Sequence, residues 1–305
     1  LVYDTIILGG GPAGLSAAVY ALRSGLKMLL VERGLYGGQM QNTEEIENYP
    51  GFTSILGPDL SEKMREHAEA LGLQTQQGEV ESVEFGPPIH RVHLSGGEVL
   101  ETKTVIIATG CEPKKLGIPG EKEFSGRGVS YCAVCDGAFF KNKNLYVIGG
   151  GDSACEEGVY LTRHAAKVTI VHRRDKLRAQ PVLQERARNN EKISFLFNRR
   201  PVEVQGERKV ERLVLENTVT GERETVDADG IFIYIGLKPN TEFLKGTPIV
   251  NAEGWIPTDD RFRTAVPGVF AAGDVRETWL RQVVTAVAEG AMAAMSAYYY
   301  VEEQS

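Results

Sequence analysis

No apolar run in the 305-residue chain is long enough to cross a bilayer, which argues against a membrane span. Cysteine is scarce: four residues exclude a scaffold held together by disulfides. Positive charge is also short. Lys and Arg number 34 against 41 Asp and Glu, for a net charge of −7, so the basic face of a nucleic-acid binder is not expected. No apolar leader precedes the strand-like segment that opens at Val2, so no export signal is expected. Together with the low cysteine content this points to a reducing, cytoplasmic compartment. What is present, 25% charged and 42% hydrophobic residues, is the composition of a globular protein long enough for two domains.

The chain carries one pattern twice. "YDTIILGGGPAGLSAAVYALRSGLKMLLVERG" reads as an apolar strand, a Gly-rich turn (Gly9, Gly10, Gly11, Pro12, Ala13, Gly14), a helix of small residues, and a second strand ending at Glu32. This is the arrangement of a dinucleotide site. Gly9 makes the tight turn, Gly11 admits the pyrophosphate to the backbone, Gly14 lets helix and strand approach, and Glu32 can bond ribose hydroxyls. "LYVIGGGDSACEEGVYLTRHAAKVTIVHRRD" repeats it from Gly149, with Gly151, Asp152 and Ser153 in the turn and Ala154 in place of the third glycine. The spacing from Gly9 to Glu32 equals that from Gly149 to His172. In the second copy the acid is replaced by His172, followed by Arg173, Arg174 and Arg178. A carboxylate there repels a 2′-phosphate, whereas guanidinium groups attract one. The first copy therefore suits FAD and the second NADPH, a combination that implies an oxidoreductase.

Two Pro- and Gly-containing crossings follow strands ending near Gly110 and Gly236. They suggest a domain built from residues 1–112 and 243–305, with residues 113–242 inserted in it. Alternating segments around the turns Ser95-Gly96-Gly97 and Thr220-Gly221 predict a small antiparallel sheet in each domain. The expected fold is α/β: two Rossmann-like three-layer nucleotide-binding domains, one inserted in the other. A long helix is predicted to begin near Arg281.

"YCAVCDGAFF" places Cys132 and Cys135 two residues apart. Zinc needs about four ligands, and the remaining Cys111 and Cys155 are isolated, with no histidine at ligand spacing beside the pair. A structural disulfide closing so short a loop stabilises little. In a chain with flavin and nicotinamide loops the pair reads as a redox couple, and Cys111 and Cys155 as packing residues.

These motifs, with "GGQ", "ENYPG", "ATG", "HRRDKLR" and "GVFAAGDV…RQVVTAVAEGAMAA", resemble the low-molecular-weight thioredoxin reductases over essentially the whole chain. The resemblance implies bound FAD, NADPH as donor, a homodimer, and thioredoxin as the disulfide substrate. It implies that Cys135 faces the flavin, that Cys132 attacks thioredoxin, and that Asp136 is the proton donor. Around the flavin it implies Arg33, Gly38, Gln39, Asn48, Val80, Ala108, Thr109, Gly110, Gly273, Asp274, Arg281, Gln282 and Val283, and on the nicotinamide side Gly236. Because the cysteines and the second Gly loop share the inserted domain while the flavin belongs to the other, a swing about Glu112–Pro119 and Lys238–Asn240 is expected. A flavoprotein serving another disulfide partner, such as a peroxiredoxin-reducing system, is the alternative. Ferredoxin–NADP reductases of this fold lack the cysteine pair, and the glutathione-reductase type places its cysteines in the first nucleotide domain, where this chain reads "LYGGQMQNTEE". A non-catalytic nucleotide sensor fits poorly with two complete loops and a cysteine pair.

Overall fold

The computed structural model describes residues 1–43 and 46–304. It divides the chain into two compact units, Leu1–Glu112 with Lys238–Ser305, and Pro113–Leu237.

The first unit is built on a seven-stranded sheet. Thr75–Gln77, Met28–Glu32, Val2–Leu8 and Val99–Ile107 run parallel in that order, and Val269–Ala271 joins the far side of Val99–Ile107. Parallel strands are covered on both faces, so they need apolar residues at successive positions. Val2–Leu8 shows this. Ile7 joins Leu30, Ile106 and Phe270 on one face, while Ile6 and Leu8 join Leu29, Val31, Val105 and Ile107 on the other. The helix Pro12–Arg23 packs on the helix Val283–Glu303 through small residues, including Ala17, Ala21, Ala293 and Ala297. The approach is close enough that a Cβ on Gly290 would lie 2.0 Å from the Ala13 carbonyl oxygen.

The long helix expected near Arg281 starts at Val283, where Gln282 is extended and forms a reciprocal cap with Thr285. One sequence expectation needs adjusting in this unit. The antiparallel strands Val80–Glu84 and His90–Leu94 do not form a sheet of their own. Val99–Ile107 is long enough to pair antiparallel with His90–Leu94 over Val99 to Thr102 and parallel with Val2–Leu8 over Glu101 to Ile107.

The second unit repeats the plan. Its five parallel strands lie in the order Ile193–Phe197, Lys167–His172, Asn144–Gly149, Gly230–Tyr234 and Val129–Ser130. Val147, Val168, Ile170 and Phe232 fill one face, and Ile148, Val171, Ile231 and Ile233 the other. Here the antiparallel sheet is separate: Arg199–Gln205, Arg212–Asn217 and Arg223–Asp227. The two segments where the chain passes between units, Cys111–Pro113 and Leu237–Pro239, pair as a two-stranded ribbon.

Candidate active site

In the second unit the edge strand Val129–Ser130 ends beside Gly230–Tyr234, and its carboxyl end delivers the cysteine pair. The backbone turns helical at once, over Ala133–Asp136, with Cys132 as the cap. Cys132 and Cys135 are joined in a disulfide, their Cα atoms 5.3 Å apart. The backbone donors of this turn are shared out among specific acceptors. The Cys132 N–H donates to Ser130 Oγ at 3.1 Å, and the Cys135 N–H to Cys132 Sγ at 3.2 Å. The Ala133 N–H donates to the Tyr234 hydroxyl, and Ser130 Oγ donates in turn to the Asp136 carboxylate.

Tyr234 ends its strand and is held neutral: burial pushes its phenol well above the usual range, and the charges of Glu157 and Asp136 push in the same direction. Glu157 lies on the helix Asp152–Leu161. Burial, with Glu156 adding, pushes its carboxyl up to about 7, and its Oε2 is buried without a hydrogen-bond partner among the described residues.

The second Gly loop opens at the same end of this sheet, where ligands of open α/β sheets bind. A Cβ on Gly149 would lie 2.4 Å from the Tyr234 carbonyl oxygen, whereas one on Gly151 would meet nothing within 4 Å. Gly151 caps the ten-residue helix Asp152–Leu161 without any side-chain bond, which leaves the first-turn N–H groups open to an anion. The Asp152 carboxylate is taken up by Gln180, accepting both its backbone N–H and its side-chain amide. Ser153 is exposed beside it.

His172 packs under Gly150, so close that a Cβ there would lie 2.2 Å from Nδ1. Burial lowers the His172 pKa, and Arg178, Arg174 and Arg173 lower it further. The imidazole is therefore a neutral floor beneath the loop, and its buried Nε2 has no hydrogen-bond partner among the described residues. The three arginines are exposed, and among the described residues none of them forms an ion pair. An open helix end next to three unpaired guanidinium groups fits a dinucleotide with a 2′-phosphate. Gly236 has φ +118° and its carbonyl accepts the Lys114 N–H.

In the first unit, Gly9 takes φ +105° and leaves no room for a Cβ, which would lie 2.5 Å from the Ala108 carbonyl oxygen. A Cβ on Gly14 would lie 1.8 Å from the Gly9 carbonyl oxygen, but one on Gly11 would meet nothing within 4 Å. Gly11 again caps its helix without a side-chain bond, Pro12 and Ala13 open the first turn, and Gly38 lies against Gly11. The Glu32 carboxylate accepts the N–H groups of Gly10 at 2.6 Å and Gly34 at 2.7 Å. It is thereby fixed at the strand end with lone pairs left for a ribose. This cradle fits the pyrophosphate and ribose of a second dinucleotide.

Other candidate residues of this unit are tied into it. Gln39 donates to the Cys111 carbonyl at 3.4 Å, and Asn48 to the Gln282 side chain at 3.0 Å. Thr109, between Ala108 and Gly110, exchanges bonds with Asn240. The Gly273 N–H donates to Glu289. Asp274 is half-buried, and loss of solvent around its carboxyl pushes it up to about 6 against the pull of Arg281, with Glu289 adding to the rise. Arg281 donates to the carbonyls of Asp274 and Arg276. Val283 packs on Met40, Ile46 and Leu60. Arg33 forms an exposed ion pair with Glu112, and Val80 opens its strand half-buried.

Sequence reasoning passed over Tyr234, Glu157 and Ser130. In "GIFIYIG" the tyrosine looks like one more core residue of a buried strand, and only the fold brings it to Ala133.

Comparison with known proteins agrees with this geometry. Residues 3–290 match the family described as pyridine nucleotide-disulphide oxidoreductase. The chain is 57% identical to a thioredoxin reductase of Bacillus subtilis, over 99% of this chain and 96% of that one. It is 47% identical to a thioredoxin reductase of Peptoclostridium litorale, over 99% and 98%. Among solved structures it is similar to thioredoxin reductase from Streptococcus pyogenes, with a TM-score of 0.95, 50% identity and 99% of each chain covered.

Proposed function

The chain belongs to the pyridine nucleotide-disulphide oxidoreductase family, and from that premise we propose that it is a thioredoxin-disulfide reductase using NADPH and FAD. The observation that carries this reading is the Cys132–Cys135 disulfide at the carboxyl end of the same parallel sheet that presents the Gly149 loop. FAD, when bound in the Gly9–Gly14 cradle, supplies two-electron exchange between nicotinamide and disulfide.

The chain's own residues supply binding and sulfur chemistry. Gly149, Gly151 and the open helix end hold the donor's pyrophosphate, and Arg173, Arg174 and Arg178 hold its 2′-phosphate. In the first unit Glu32 would hold the ribose, and Asp274, Arg281 and Gln282 would hold the flavin part. Two electrons open the S–S bond and leave thiolates at Cys132 and Cys135. Cys132 attacks the thioredoxin disulfide and releases one thioredoxin sulfur, to which Asp136, bonded to Ser130 beside Cys132, gives a proton. Cys135 then attacks the Cys132 sulfur of the mixed disulfide, which restores the Cys132–Cys135 bond and displaces the second thioredoxin sulfur; that sulfur takes its proton from solvent and reduced thioredoxin is freed.

Among the described residues no helix is long and apolar enough to cross a membrane; the proposed setting is the cytoplasm, and the proposed working form a homodimer. The test is reduction of thioredoxin by NADPH compared with NADH, using the FAD-loaded chain. NADPH-driven reduction that fails with NADH is the expected result. Flavin reduction without any turnover of thioredoxin would overturn the reading.

A further inference from the structure

The helix Asp152–Leu161 and the strand Gly230–Tyr234 bring to the back of the redox turn two groups that no step above uses. Ala133 is 1% exposed, so water does not serve its N–H, and a first-turn N–H has no acceptor within its own helix. The Tyr234 hydroxyl takes that N–H. The Cys132 and Cys135 N–H groups go to Ser130 Oγ and to the Cys132 sulfur, and the Asp136 N–H goes to the Cys132 carbonyl. Tyr234 thus ties the strand Gly230–Tyr234 to the turn that carries both sulfurs.

The charge of Glu157 acts on the same phenol. Glu157 lines an open pocket of about 300 Å³ together with Val134, the one residue of the redox turn that reaches it. The charged and titratable groups around Glu157 are its neighbour Glu156 and the Tyr234 phenol from the strand, on which Asp136 of the turn also acts. Arg163 and Arg186 stand on the pocket wall.

We propose that Tyr234 is a positioning residue, holding the redox turn through the Ala133 N–H, and that Glu157 is the charge that sets how readily the Cys132 sulfur carries a negative charge once the disulfide opens. This rests on reading Cys132–Cys135 as the redox couple. A carboxylate near the turn disfavours the thiolate, while a protonated carboxyl does not. With its carboxyl pushed up to about 7, Glu157 changes state near neutral pH.

The experiment uses the FAD-loaded full chain, reduced with dithiothreitol, as wild type, Glu157→Gln and Tyr234→Phe. Alkylation of Cys132 by iodoacetamide is followed by mass spectrometry across about pH 6 to 9. Between about pH 7 and the pKa of the Cys132 thiol, Glu157→Gln should react about threefold faster, the factor that a fall of about half a unit in a thiol pKa gives. Below about pH 6 the two curves should converge, because wild-type Glu157 is then protonated. In the Tyr234→Phe background the effect of Glu157→Gln should shrink, since the phenol links charge to turn. Tyr234→Phe should also lower kcat for thioredoxin while the rate of flavin reduction by NADPH stays the same.

Superimposable profiles for wild type and Glu157→Gln would overturn the charge role. An undiminished Glu157→Gln effect in the Tyr234→Phe background would overturn the linkage. Should Tyr234→Phe fail to fold, the Glu157→Gln profile decides alone. A Cys135→Ser variant that traps no thioredoxin on Cys132 would instead sink the underlying redox reading. Trapping together with superimposable profiles would sink only the present proposal.

Discussion

Gly149 and Tyr234 are register partners on adjacent parallel strands, and the hydroxyl of that same Tyr234 accepts the Ala133 N–H. The second Gly loop and the redox turn are therefore anchored on one residue, within one unit. A Cβ at Gly149 would strike the Tyr234 carbonyl oxygen at 2.4 Å, so a side chain there disturbs both at once.

The glycines of the second loop should separate folding from binding. Gly151 has open space around it, whereas a Cβ at Gly150 would strike the His172 ring. Gly151→Ala should fold with an unchanged melting temperature but weaken NADPH by about tenfold or more, equivalent to about 1.4 kcal/mol. Gly150→Ala should lower the melting temperature itself. Calorimetry with nucleotide titration checks both; equal behaviour of the two variants would remove the distinction.

Donor choice should rest on the exposed arginines. Replacing Arg173 and Arg174 with Ala should weaken NADPH far more than NADH. A lost charged hydrogen bond is worth about 1.5–3 kcal/mol, hence about one to two decades in affinity. Parallel losses for both nucleotides would place the 2′-phosphate elsewhere.

Much of this architecture was readable in advance because it rests on local rules. Gly9 and Gly14, and Gly149, stand where a Cβ does not fit, and the apolar runs around them are long enough to read as buried strands. Other features were not readable because they depend on the fold. Nothing local tells that Val99–Ile107 serves parallel and antiparallel partners at once. Nothing local shows that the Asp152 carboxylate is taken by Gln180, or that Tyr234 reaches a residue 101 positions away. The helix expected near Arg281 begins at Val283, the exact residue being set by the reciprocal cap of Gln282 and Thr285.

The two other cysteines should be inert. Burial and the nearby Asp274 charge push the Cys111 thiol up to about 12, and burial also raises Cys155. Thiolate is the reactive form. Native, oxidised protein should therefore take up no alkylating reagent until it is unfolded, and Cys111→Ser and Cys155→Ser should keep full turnover. Loss of activity in either would show that packing is not its role.

Stability should depend on pH through Glu157. Its carboxyl rises from an ordinary 4.5 to about 7 on folding, so the folded state favours the protonated form. That contribution is fully present below the unfolded pKa and is lost as pH rises through about 7. It is worth on the order of 3 kcal/mol at most. Glu157→Gln should therefore be more stable than wild type at pH above about 8 and gain nothing near pH 4. Denaturant midpoints measured at both ends check the sign, and a constant difference would refute it.

The central claim, that Cys132 and Cys135 pass electrons from NADPH to thioredoxin, is tested most directly with Cys132→Ser and Cys135→Ser in the FAD-loaded chain. Stopped-flow spectra and thioredoxin turnover are recorded on the same samples. Each variant should keep its flavin and allow NADPH to reduce it, yet fail to turn over thioredoxin, and Cys135→Ser should accumulate a mixed disulfide at Cys132. Full thioredoxin turnover by either variant would contradict the account.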